Sequence, residues 1–326
     1  MAQREVLAAG AELLTNTVIA DCDVENGRIV RIYVVSKNGL EVIESKYFID
    51  ATGDACLSAF AGVEMLPNTR PMQPGTLCFA MSNVDTSTER MHIIHQRTQG
   101  INHQAVFIRE PLLKLREQGV NVPKFGGPWL CTTLKEGVIT LNLTRAAMDA
   151  ADTDSYNDAE RTMLEDVFTL AKLIVENVDE FKNAYVSSIA TITGARQSRR
   201  IKGMHTVTAE EYASGYKYDD SIARACHAID IHLPGDEGQI LKYPDDAGYI
   251  PFRCMLPLGI ENLIVAGRAV SADEDAFAAL RVQAPCMEMG QAAGIAVSIC
   301  LRDKVSVGAV NKDELVEAVR KEGSFV

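Results

Sequence analysis

The sequence predicts an α/β fold, α+β overall, in which a parallel-sheet domain is interrupted by an inserted domain of mixed strands and helices. Two apolar runs, Tyr47-Phe48-Ile49-Asp50 and Leu263-Ile264-Val265-Ala266, each stop at a tight small-residue turn, as buried parallel strands do at the ligand edge of an α/β sheet. Each turn leads toward a helical apolar pattern. Between them the texture changes to strands and helices without that order. One discontinuous domain is therefore expected at 1–66 and 249–326, and an inserted substrate-side domain at 67–248.

Taken in order, Arg4 to Ala9 reads as the end of a helix and Glu12 to Ile19 as a strand, so the chain opens like the middle of a domain. The β-rich runs Leu13 to Asp21, Arg28 to Val35 and Glu41 to Asp50 are separated by the turn signals Glu25-Asn26-Gly27 and Lys37-Asn38-Gly39, which predicts a three-stranded antiparallel meander. The third run passes through Ala51-Thr52-Gly53-Asp54 into a helix over Ala55 to Gly62. In the insertion, Thr76 to Asn83 and Gly137 to Leu143 are strand-like and Asp158 to Phe181 is helix-like by apolar spacing. After Arg268, Ser271 and Glu274 fit a capping box for a helix to Leu280, Pro285 suits the first turn of a long helix from Cys286 to Leu301, and Asn311 with Glu314 caps a last helix ending at Gly323.

Composition narrows the function. Lys and Arg number 32 against 44 Asp and Glu, a net charge of -12, which argues against nucleic acid as the main partner. The eight cysteines include no Cys-x-x-Cys pair, so they read as reduced thiols rather than a zinc site or disulfide framework. No apolar run of about eighteen residues and no signal peptide is present, so no membrane partner and a cytoplasmic location are expected. His92 and His95 have a metal-compatible spacing but no third ligand nearby, and read as surface histidines with no metal. Gly126-Gly127 and Pro234-Gly235-Asp236-Glu237-Gly238 read as loops, and the lack of a Gly-x-Ser-x-Gly elbow leaves a hydrolase without support.

Either strand-and-turn motif alone says little beyond a glycine that permits close backbone approach. Together, and followed by Met289-Gly290-Gln291-Ala292-Ala293-Gly294, they resemble the FAD-dependent oxidoreductases related in fold to glutathione reductase and the succinate dehydrogenase flavoprotein. The resemblance extends over almost the whole chain. Thr193 through Arg200, Asp230-Ile231-His232 and Arg281 through Pro285 match further landmarks of that family. It implies a partial FAD/NAD(P)-binding Rossmann-like domain, FAD as cofactor, and cofactor contacts from Ala51, Thr52, Gly53, Asp54, Gly267, Arg268, Arg281, Val282, Gln283, Gly290 and Gln291. The family's Gly-x-Gly-x-x-Gly loop, which offers backbone N–H groups to a pyrophosphate, is not found in these residues; the resemblance therefore implies a chain lacking the N-terminal βαβ unit.

Roles follow as expectations. The positive end of the long helix near Ala284 to Cys286 would stabilise charge at the N1 and O2 edge of a reduced flavin. Gly267 and Arg268 would meet the ribityl-phosphate region, although most relatives in the wider superfamily carry an acid where this chain has Arg268. Arg196, with Arg199 or Arg200 at helical spacing, would clamp an anionic group, and His232, sharing a strand face with Asp230, would move a proton. The expected function is hydride transfer between FAD and a small anionic substrate lying between the two domains. Alternatives of other classes are a non-catalytic subunit that needs a partner carrying the βαβ segment, with homo-oligomerisation open, and an anion-binding module using the arginines without redox chemistry.

Overall fold

The computed structural model describes residues 2–93, 105–233 and 238–326. Helix α1 (Ala2–Ala8) precedes strands β1 (Val18–Glu25), β2 (Arg28–Ser36), β3 (Gly39–Glu44) and β4 (Phe48–Asp50), and α2 (Cys56–Phe60) follows. Next come β5 (Phe79–Ser82), α3 (Glu89–Ile93), α4 (Val106–Glu117), β6 (Phe125–Thr132), β7 (Ile139–Thr144), α5 (Thr153–Asn177) and β8 (Tyr185–Ile189). The chain ends with α6 (Ala209–Ala213), β9 (Ser221–Ala225), β10 (Ile229–His232), β11 (Gln239–Lys242), β12 (Gly248–Pro251), β13 (Leu263–Val265), α7 (Glu274–Leu280), α8 (Gln283–Asp303) and α9 (Lys312–Lys321). The fold is mixed α/β.

Two units emerge, one of Met1–Pro67, Arg199–Ile229 and Lys242–Val326, the other of Asn68–Ser198 and Asp230–Leu241. The expected bounds differ by placing 199–248 wholly in the insertion. Backbone pairing explains the difference: Ile201 bridges Met65, Gly203 bridges Pro257, and β9 pairs antiparallel with β12.

In the first unit, β1, β2 and β3 form the antiparallel meander. Asn26 and Gly27 both take positive φ, 51° and 73°, the backbone that a two-residue hairpin turn between twisted strands requires. The first strand starts later than expected, at Val18, and the run from Glu41 to Asp50 is split. Its end, β4, leaves the meander to pair in parallel with β13, Phe48 opposite Leu263 and Asp50 opposite Val265. Asn262, buried between them, holds the split open: its Oδ1 accepts from the Ile29 N–H at 2.9 Å, and its Nδ2 donates to the carbonyls of Ile29 (2.8 Å) and Lys46 (2.9 Å).

Helix α8 runs antiparallel beside this strand pair, with Tyr47 Oη donating to the Val305 carbonyl at one end (2.7 Å) and Cys286 beside Gly267 at the other. Its length and hydropathy would suffice to cross a membrane, while Met289, Ala292, Ala293, Ala296 and Ile299 are buried against the rest of the unit. The N-cap of α7 is Asp273, not Ser271: the Asp273 carboxylate accepts from the N–H groups of Asp275 and Ala276, and the buried Ser271 hydroxyl bonds Thr206. Asn311 caps α9 as expected.

The second unit is a four-stranded antiparallel sheet in the order β6-β7-β5-β8. Strand alternation turns Leu77, Phe79 and Met81, with Ile139, Leu141 and Leu143, into a core shared with Met163, Val167, Leu170 and Ile174 of α5. Cys78, Thr140 and Asn142 fall on the opposite face by the same alternation. The segment 195–200, where helical spacing of the arginines was expected, forms no helix; Gly194 pairs with Thr76 before it and Ile201 with Met65 after it.

Candidate functional site

Asp50 organises the end of β4. Its Oδ1 accepts from the Thr52 N–H (3.1 Å) and hydroxyl (2.7 Å), and its Oδ2 from the Ser58 N–H (2.8 Å) and hydroxyl (2.7 Å). These four bonds fold Ala51, Thr52, Gly53 and Asp54 into a tight turn and fasten it to α2. Gly53 has φ +80°, and a Cβ there would lie 2.9 Å from the guanidinium carbon of Arg268, so only glycine fits. Arg268 in turn donates to Asp54 Oδ1 at 2.6 Å, while Arg199 Nη1 donates to the Asp54 carbonyl at 3.3 Å.

The second strand end lies alongside, with the Ala266 N–H donating to the Asp50 carbonyl at 3.0 Å and Gly267 at φ +94°. Arg281, Val282 and Gln283 link α7 to α8, and Val282, the N-cap of α8, supplies no side-chain bond to it. The first residues of that helix, Gln283 and Ala284, are exposed. Burial pushes the Cys286 thiol up, against the pull of the nearby Arg268 and Arg281 charges, so both arginines lie close to the α8 N-terminus.

The family model described as FAD dependent oxidoreductase matches residues 1–322. The chain belongs to this family. No curated protein matches it. Among solved structures it is similar to a geranylgeranyl bacteriochlorophyll reductase-like protein from Thermoplasma acidophilum, at 11% identity and TM-score 0.43, covering 97% of this chain and 55% of that one. It is also similar to a myxobacterial chondrochloren halogenase, at 12% identity and TM-score 0.41, covering 98% and 53%, and to an anhydrotetracycline hydroxylase from Streptomyces rimosus, at 11% and 0.41, covering 98% and 44%. The chain thus spans about half the length of these proteins.

The residues present fit the family's cofactor, FAD. Two parallel strand ends, a glycine whose Cβ would fill the cradle, an uncapped helix N-terminus and two arginines give the main-chain donors and positive potential that a diphosphate and a reduced flavin edge require. Arg268, however, is engaged with Asp54, so its charge is partly neutralised before any phosphate is considered. Gly290 and Gln291 are exposed on α8; the Gln291 amide bonds the Glu322 carbonyl (3.4 Å) and the Ser324 hydroxyl (3.3 Å) of the C-terminal tail.

A second constellation lies wholly in the second unit. His232 Nε2 stands 3.3 Å from Asp230 Oδ2, and Gln239 bonds the other carboxylate oxygen. The His232 N–H donates to Gln73 Oε1 (3.0 Å), and the Gln73 N–H to Gln197 Oε1 (3.1 Å). Burial, against the hydrogen bond that the ring donates to Asp230 and together with the charges of Arg196 and Arg145, pulls the imidazole down to about 4. The ring is therefore neutral near pH 7, with its Nε2–H facing the carboxylate and Nδ1 left as the acceptor.

Arg196 Nη1 donates to the Pro74 carbonyl and the Thr76 hydroxyl, both at 2.6 Å. Arg145, which the sequence reading passed over, donates to that same hydroxyl at 2.6 Å and to Asn142 Oδ1 at 2.9 Å. Its signal in the sequence was Gly126, read as a mere loop residue: a Cβ at Gly126 would lie 2.6 Å from the Arg145 guanidinium carbon.

Arg200 is not part of this cluster. It belongs to the first unit, 2% exposed, and donates to the carbonyls of Ala272 (2.8 Å) and Pro67 (2.9 Å), with Glu274 at 3.7 Å and the Phe277 ring beneath it. The non-helical backbone removes the spacing on which a clamp with Arg196 depended, and Arg200 is a core strut. His95 and the loop at 234–237 lie outside the described residues, as does the side chain of His92. Among the described residues no group of three His, Cys, Asp or Glu could hold a metal.

Proposed function

We propose that the chain serves FAD-linked oxidation or reduction of a small anionic substrate, in which Arg196 binds the anionic group and His232 holds the accompanying proton. The observation that supports this most is the His232–Asp230 pair, an imidazole oriented by a carboxylate at 3.3 Å and held within the field of the buried Arg196 charge. FAD, when bound, supplies two-electron hydride chemistry. Asp230 fixes the imidazole tautomer, so that Nδ1 is the atom able to take a proton as the substrate is oxidised. Arg196 orients the substrate through charge-assisted hydrogen bonds, and the α8 N-terminus favours negative charge at the cofactor's edge.

The test is the visible spectrum of the purified chain with added FAD, followed by anaerobic mixing with small hydroxy, amino and unsaturated acids. Bleaching by one of these acids, lost in His232→Gln and Arg196→Gln, is the expected outcome. Bound flavin that every anionic candidate leaves unchanged would remove the substrate assignment.

A second reading, a subunit completed by a partner chain, is favoured by one feature of the first unit. The β4–β13 ladder uses the backbone of Phe48 and Asp50, so the N–H and C=O of Ile49 point to the other edge, where no strand among the described residues pairs. The Ile49 side chain is 40% exposed there, and a two-stranded parallel sheet is an incomplete unit.

A further inference from the structure

The turn that ends β4 is flanked by two acids whose charges are answered in different ways. Asp50, 2% exposed, spreads its charge over four donors from Thr52 and Ser58. The Asp54 carboxylate is 24% exposed and, among the described residues, accepts from one group, Arg268 Nη2 at 2.6 Å. Arg268 reaches it from the turn that follows β13. Its Cζ, Nη1 and Nη2 stand 2.9, 3.0 and 3.1 Å from the place that a Gly53 Cβ would take, so the guanidinium lies flat on Gly53. The space that this glycine opens over the turn is therefore filled by Arg268 itself. Its Nε is buried without a hydrogen-bond partner, which leaves Asp54 as the acceptor that holds the group in place.

We infer that Arg268 is the counter-ion of Asp54 rather than a ligand of the cofactor's diphosphate, and that FAD affinity depends on the cancelled charge of this pair. The inference rests on the cofactor cradle described above and is independent of the roles given to His232 and Arg196. A phosphate that drew Arg268 away would gain one charge-assisted bond at the loss of another, and would leave a mostly buried carboxylate without its partner. Held where it is, Arg268 removes a repulsion instead. An uncovered carboxylate close to a diphosphate costs on the order of tenfold in affinity at the effective dielectric of a protein surface. Arg268 is thus a positioning residue that acts through Asp54.

The test is FAD binding to the full chain by equilibrium dialysis, read from flavin absorbance, in the wild type, Asp54→Asn, Arg268→Gln and the double variant. Arg268→Gln uncovers a negative charge and is expected to weaken binding about tenfold, while Asp54→Asn uncovers a positive one and is expected to tighten it by a similar factor. The double variant puts two neutral amides in place of the pair and is expected to bind within about twofold of the wild type.

A double variant as weak as Arg268→Gln would show that the guanidinium touches the phosphate directly, and would overturn the inference. Weakening by both single changes, without recovery in the double variant, would make the pair a mechanical strap between the two turns and would overturn it as well. No saturable FAD binding by the wild type would overturn the inference together with the cradle on which it rests, an outcome distinct from the other two. Far-ultraviolet circular dichroism and urea midpoints of the FAD-free variants separate these results from misfolding. Where Arg268→Gln does not fold alone, the double variant against the wild type still decides.

Discussion

The two candidate sites are made by opposite means. At the β4 and β13 strand ends the main chain does most of the shaping: Gly53 and Gly267 take positive φ, Asp50 satisfies two N–H groups and two hydroxyls, and α8 begins without a side-chain cap. In the second unit, Thr76, Asn142, Arg145 and Arg196 reach one another by side chain from separate places in the sequence, and His232 is set by Asp230 and Gln73. A site of the first kind cannot change without disturbing its fold, whereas one of the second kind can exchange a side chain and keep the sheet. This contrast is what an enzyme needs if the cofactor is fixed and the substrate varies.

The largest effect expected from the contrast is at Asp50. Asp50→Ala strands buried donors that each cost about 1–3 kcal/mol when unpaired, and a loss of about 3–5 kcal/mol in urea unfolding, together with weaker FAD retention, is expected. A variant as stable as the wild type would show that the turn holds its shape without the carboxylate. Next comes Arg200. Arg200→Met leaves Glu274, with a side chain only 11% exposed, facing an apolar group, and a loss of about 3 kcal/mol is expected because one partner of a buried pair is removed. The bleaching that Arg196→Gln abolishes should survive that substitution; if it disappears, Arg200 belongs to the anion site after all and the two regions are not separable.

The same contrast explains what the sequence made legible. Glycines that permit positive φ, apolar runs and helix caps are local, so the strand ends, the hairpin at Asn26-Gly27 and the α7, α8 and α9 helices could be read directly. Even locally the reading slipped where two signals competed, since Ser271 and Asp273 both suit an N-cap and the backbone of α7 selects Asp273. The arginines mislead for a different reason. Arg196 and Arg200 are four apart in sequence, but the segment between the bridges at Gly194 and Ile201 is not helical and crosses from one unit to the other. Arg145 carried no local mark, because its meaning depends on Gly126, Thr76 and Asn142, which only the sheet brings to it. The split of the third meander strand was equally hidden, since it depends on Asn262 bonding across 233 positions of sequence to Ile29.

A smaller effect is expected from titrating His232. Its folded-state value, about 4, lies below the usual 6.5, so the unfolded chain binds the proton more readily than the folded one. The neutral ring costs nothing above pH 6.5; as the pH falls from 6.5 toward 4 the unfolded state is progressively favoured, by up to about 3 kcal/mol at the lower limit. His232→Gln should flatten this part of the stability profile. Equal slopes in variant and wild type would mean that the ring gains its proton freely when folded and that the cluster is open to water.

The smallest effect on stability, and the sharpest on association, is expected at Ile49. The side chain is already 40% exposed, so Ile49→Lys should change unfolding free energy by no more than about 0.5 kcal/mol, as surface substitutions do. The backbone groups on the outer edge of β4 remain, but a lysine there repels an approaching strand, which is how natural sheets protect open edges. If this edge is where a second chain adds, light scattering of the wild type should rise with concentration and that of Ile49→Lys should not. A wild-type chain that stays monomeric at every concentration would show that the edge does not recruit its own kind, and would restrict the completed-subunit reading to a partner of different sequence. The strand-end backbone would then accept a third strand only from a chain shaped to continue the parallel ladder.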